Sequence, residues 1–161
     1  MLVPKTNNAY HYINQDESIT TGLEYGQTYY VKSSGYGFAQ VTGSSGFATE
    51  YANVNLADGS MGNSSLSTLA VSITALADGW YKITITATSI GTSANGRILL
   101  AVINADTAAR LPIFTGDGTS GILAWGGDLK QGPISSFIET TTAPATRVAE
   151  GFTQSLDNFS Q

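Results

Sequence analysis

A chain of 161 residues holds one domain with little room for a second, and at that size roughly 70% of the unfolded surface can be buried. Hydrophobic residues are 42% of it and charged residues 12%, below the roughly 25% usual in soluble domains, so Ser, Thr, Asn and Gln must carry solubility. A net charge of −5 with only seven scattered basic residues disfavours nucleic acid and anionic lipid, the absence of cysteine excludes disulfide and thiol chemistry, and no apolar run reaches transmembrane length.

The N-terminal MLVPKTNN has no apolar segment of the secretory type, so work outside the cell implies a route other than Sec. His11, the single histidine, lies in YHYIN, where alternation between Tyr10 and Tyr12 predicts a polar strand residue. The segment 28–33 (TYYVKS) sets Tyr29 and Val31 on one face and Thr28, Tyr30 and Lys32 on the other. Further short strands are expected at 36–42, 51–56 and 69–76, with loops at 43–46 (GSSG) and 60–65 (SMGNSS). Asp58-Gly59, Asp78-Gly79, Asn95-Gly96 and Asp117-Gly118 supply residues that tolerate the positive φ of tight turns.

After Asp78-Gly79, WYKITITAT alternates Tyr81, Ile83, Ile85 and Ala87 with Trp80, Lys82, Thr84 and Thr86, the pattern of a half-buried antiparallel strand. Strands are expected again at 97–104, 111–114 and 122–125. In the tail, Phe152, Leu156 and Phe159 fall at helical spacing; a frayed terminus competes with a short helix there, because Gly151 and the short length weaken the helix. Many short, turn-bounded strands without long helical periodicity predict an all-β fold, a sandwich or barrel.

Four motifs in order carry a resemblance. Thr28-Tyr29-Tyr30-Val31-Lys32, Asn55-Leu56-Ala57-Asp58-Gly59 and Gly79-Trp80-Tyr81-Lys82 precede a C-terminal stretch, 116–147. That stretch holds Trp125-Gly126 with Leu129, then Ser136-Phe137-Ile138 with Thr140, then Thr146-Arg147. Over about residues 16 to 147 the chain resembles the carbohydrate-binding-like jelly-roll modules of bacteriophage tail fibres and tail spikes. It departs from their pattern at Asp128, Lys130, Phe137 and Glu139, and no early Trp-bearing strand is found; that strand is either divergent or supplied by residues 10–13.

The resemblance implies an antiparallel β-sandwich of jelly-roll type, taken here as 1–147; outside the match, the spacing read above leaves a C-terminal tail or short helix over 148–161. It implies a non-enzymatic, carbohydrate-binding part of a phage virion that contacts host-surface polysaccharide or glycan, as a homotrimer. The alternatives are a structural trimerisation or capping domain of the fibre tip, and a small polysaccharide-degrading domain.

Sugar C–H faces pack on aromatic planes while hydroxyls seek polar partners. Trp80, on the outward face with Lys82 and Thr84, is a candidate platform; burial under a loop or subunit, the commoner fate of large aromatics, competes with it. Tyr30, outward beside Lys32, and Tyr36 are further candidates. Trp125 is expected in the core, because both faces of 122–125 are apolar. Residues 116–121 fit GxGxxG but lead into no helix, so a turn is expected there rather than a phosphate cradle. Asp117 is a candidate for the rim of a ligand site or for a structural calcium, without the acidic cluster such a site usually needs; no other cofactor is expected. Asp106, Asp117, Asp128 and Glu139 could serve glycoside hydrolysis only if the fold set two of them across a bond.

Overall fold

The computed structural model describes residues 1–134. The expected Ser136-Phe137-Ile138 run with Thr140, the carboxylate Glu139, the pair Thr146-Arg147, the boundary after residue 147 and the tail with Phe152, Leu156 and Phe159 lie outside the described residues. The strands begin with β1 (Asn8–Ala9), β2 (Tyr12–Ile13), β3 (Glu17–Ile19) and β4 (Glu24–Ser34), then β5 (Phe38–Ser44), β6 (Tyr51–Asn55) and β7 (Met61–Ser65). They continue with β8 (Leu69–Ala75), β9 (Trp80–Thr88), β10 (Ser93–Ile103), β11 (Phe114–Thr115), β12 (Gly121–Gly126) and β13 (Lys130–Gln131).

All strand pairings are antiparallel. One main sheet runs β12–β4–β9–β8, with β13 also on β4; the other main sheet runs β2–β10–β5–β6–β7, with β3 also on β10; β1 and β11 form a separate two-stranded sheet. Tyr25, Tyr29, Val31, Ile83, Ile85 and Ile122 of the first sheet share one buried cluster with Ala39, Val41, Ala52, Val54, Ile98, Leu100 and Val102 of the second. The fold is an all-β antiparallel sandwich, each fully buried large aliphatic contributing about 1.5–3 kcal/mol.

Alternation places the core. In β9, Tyr81, Ile83, Ile85 and Ala87 are buried while Trp80, Lys82, Thr84 and Thr86 are half-buried on the outer face. Asp78 and Gly79 adopt φ of 57° and 72°, and Leu76 N–H donates to Trp80 O at 2.8 Å, so the turn between β8 and β9 forms where its residues predict it. A polar tie crosses the core: the Tyr29 hydroxyl donates to Ile98 O at 2.8 Å and accepts from Gln27 Nε2 at 3.0 Å. Burial pushes the Tyr29 phenol well above its ordinary pKa, outweighing the opposing bond from Gln27.

Several expectations are corrected. Residues 61–65 are not a loop but β7, which pairs with Tyr51, Ala52 and Val54. Its side chains are mostly exposed, and an edge strand held by backbone bonds leaves no apolar alternation to read. Asn95-Gly96 is no hairpin turn: it lies inside β10, where a Cβ on Gly96 would sit 2.4 Å from Ile19 Cδ1. Residues 111–113 are not strand, because Leu111 at φ 46° breaks the extension. His11 is buried rather than a polar strand position: its ring lies edge-on to Phe114, Nε2 is 2.8 Å from Phe114 O, and Nδ1 accepts from Lys5 N–H at 3.3 Å.

Candidate functional site

The strand register builds the outer face of the first sheet. Lys32 stands opposite Trp80, Tyr30 opposite Lys82, Thr28 opposite Thr84 and Gly26 opposite Thr86. On the other side of β4, Trp125 stands opposite Tyr30 and Leu123 opposite Lys32. Tyr30 and Trp125 stack with ring centroids 4.0 Å apart and planes 6° from parallel, which fixes the Tyr30 ring. Trp125 is 46% exposed, which corrects the expectation that it is core. Its strand is apolar on both faces because Leu123 and Trp125 lie against the outer row of β4, while Ile122 fills the interior.

Beside this pair a groove is lined by Gly26, Thr28, Tyr30, Lys82, Asp128 and Lys130, among others. Gly26 is required, since a Cβ there would meet Ile134 Cγ1 at 2.7 Å. Gln27 points inward and donates to Gly127 O at 2.7 Å, which pins the loop carrying Asp128 to β4. Asp128 and Lys130 form an ion pair, so these two charges on the groove rim compensate each other. Thr28, on the groove lining, has its Oγ1 buried without a hydrogen-bond partner among the described residues, an uncommon state for a buried hydroxyl.

Of the expected site residues, the fold brings Tyr30 and Lys82 together. Trp80 shares their face but lies at the far end of β9, beside Lys32, and does not line the groove. Tyr36 is removed from the site: it packs on the core cluster with its ring 5.7 Å from Phe114. Asp117 lies before the far end of β12, where its Oδ1 accepts from Thr119 N–H at 2.9 Å and Ser120 N–H at 2.7 Å. Hydrogen bonds from Ser120 and Thr119 hold its carboxyl down at about 2. Among the described residues no group of three or more His, Asp or Glu side chains is placed to hold a metal ion.

The described carboxylates considered for hydrolysis stand apart. Asp128 borders the groove on the first sheet, Asp117 serves its turn, and Asp106 lies over the outer face of the second sheet, where its carbonyl accepts from Asn53 and Asn63. Sequence reasoning missed the Tyr30–Trp125 stack and Thr28 as groove residues. Parity placed Tyr30 and Thr28 outward, but only the β12–β4 register reveals that Trp125 joins them. The chain matches no known protein-family model, and no curated protein matches it.

Proposed function

We propose that the chain is a non-enzymatic carbohydrate-binding module of the phage tail-fibre and tail-spike kind, contacting host-surface glycan from the outer face of its first sheet. The observation that carries this reading is the Tyr30–Trp125 stack beside a groove lined by Thr28, Lys82, Asp128 and Lys130. An aromatic ring held in a set plane loses little entropy on stacking against a sugar face, and the surrounding hydroxyl, ammonium and carboxylate groups match sugar hydroxyls. The separation of Asp106, Asp117 and Asp128 favours recognition over hydrolysis, which needs two carboxylates facing one bond. Assembly as a trimer about a fibre axis accompanies this reading, which the ordered motifs of the sequence support.

The test is a glycan array probed with the full chain and with Tyr30→Ala, folding being checked by circular dichroism. Loss of the aromatic contact should weaken binding about tenfold, while Trp80→Ala, outside the groove, should leave it unchanged. A blank array for the folded chain, or equal binding by Tyr30→Ala, would overturn the site. Release of reducing ends from a bound polysaccharide would overturn the non-enzymatic reading.

A further inference from the structure

A second groove lies on the opposite outer face of the sandwich, lined by Tyr10, Tyr12, Ser44, Arg97, Leu99, Arg110 and Leu111. The sequence has seven basic residues against twelve acidic ones, yet two arginines converge here. Arg97 is neutralised by Asp16, with Nε 3.0 Å from Oδ1 and Nη2 donating to Oδ2 at 3.2 Å. Arg110 forms no ion pair among the described residues: its Nε donates to Thr42 Oγ1 at 2.7 Å and its Nη2 to Gly43 O at 2.9 Å. Thr42 spends its own proton on Glu50 O at 2.7 Å, so its oxygen is committed to accept from Arg110. The guanidinium is therefore held in place by neutral acceptors while keeping its full charge and its remaining N–H donors.

The backbone beside it is held under strain. Leu111, at φ 46°, occupies a left-handed conformation rare for a bulky side chain. Its N–H donates to Gln40 Oε1 at 2.7 Å, and Gln40 is itself fully buried. Strain maintained by a buried amide fixes where residues 110 and 111 stand along the groove. Facing them, Tyr10 and Tyr12 are 52% and 40% exposed, two rings next to a cationic fork and the Ser44 hydroxyl.

We propose that this groove binds an acidic saccharide, with the sugar carboxylate on Arg110 and the pyranose ring against Tyr10 and Tyr12. A planar carboxylate matches the guanidinium fork, and the aromatic rings suit the C–H face of a sugar better than they suit a bare inorganic anion. The site lies on the other sheet from the Tyr30 groove and shares with that reading only the class of ligand.

Titration of the full chain with glucuronate and N-acetylneuraminate, followed by amide chemical shifts, should move resonances of residues 10–12, 44, 97–99 and 110–111. Glucose should do so at least about tenfold more weakly. Arg110→Gln should abolish the preference for acid over neutral sugar; Tyr10→Ala, at an exposed ring, should weaken binding without disturbing the fold. Tyr30→Ala should leave these shifts intact, which separates the two grooves. Equal response to glucose, no response to either acid, or an equally strong response to inorganic phosphate that ignores Tyr10→Ala would each overturn the proposal. Neutral-glycan binding that depends on Tyr30, with silence at Arg110, would sink this inference and spare the other.

Discussion

Asn53→Ala tests how the segment 104–111 is fastened over the second sheet. Asn53 is fully buried; its Nδ2 donates to Asp106 O at 2.8 Å and Ala108 O at 2.7 Å, and its Oδ1 accepts from Gln40 Nε2 at 2.7 Å. Three hydrogen bonds at about 1 kcal/mol net each set the expected loss near 3 kcal/mol. The partners differ in what they keep. Asp106 O still accepts from Asn63 N–H at 2.8 Å, and Gln40 Nε2 still reaches Ala109 O at 3.1 Å. Ala108 O loses its side-chain donor, adding up to about 1 kcal/mol. A total of about 3–4 kcal/mol corresponds to a fall in Tm of roughly 6–16 °C for a domain of this size. Urea unfolding should show the midpoint falling at unchanged slope. Hydrogen exchange at the Leu111 amide, which reports the Gln40 end of the same network, should accelerate. A loss below about 1 kcal/mol, or an unaltered Leu111 amide, would refute the claim that buried amides hold this segment.

Two further predictions concern single polar ties. Glu50 accepts from Ser67 N–H at 2.6 Å, from Thr68 and Leu69 N–H at 2.9 Å, and from the Thr68 hydroxyl at 3.1 Å, which fastens the loop after β5 to the start of β8. Burial pushes its pKa up, but the N–H donors of Ser67, Leu69 and Thr68 outweigh that and hold it below the ordinary value. Glu50→Gln should therefore cost about 1 kcal/mol at pH 7, the charge-assisted bonds being discounted for solvent screening. Because the folded carboxyl is depressed, that advantage is full above the unfolded pKa of roughly 4.3 and fades as pH falls through the folded value. Urea midpoints of the two proteins should converge at acid pH, and a gap that stays constant would count against the assignment. Tyr29→Phe keeps the ring but removes the bonds to Ile98 O and Gln27 Nε2, with an expected cost of about 2 kcal/mol by the same unfolding measurement; a change under about 0.5 kcal/mol would show the tie to be idle.

What the sequence alone decided was the kind of layer the chain forms. Alternation in 80–88 and 28–33 assigned an inner and an outer face to nearly every residue of β9 and to the middle of β4, because side chains on a strand change sides at each step. The turn at Asp78-Gly79 was equally readable, since its positive φ values suit few residue types. Parity, however, says which side a residue faces and not which neighbour it meets. Tyr30 and Lys82 were readable as outward, but their meeting with Trp125 depends on β12 pairing with β4 across about ninety residues of chain. The same limit hid the second groove, where Arg97, Arg110 and Tyr10 come from three separate segments. Pairing of backbone N–H and C=O groups is blind to side-chain identity, so β7 could form from polar residues that carry no strand pattern. His11, expected as a polar strand residue, is buried for a related reason: a polar side chain can be buried at little cost once tertiary contacts supply its partners, and its Phe114 partner lies 103 positions away.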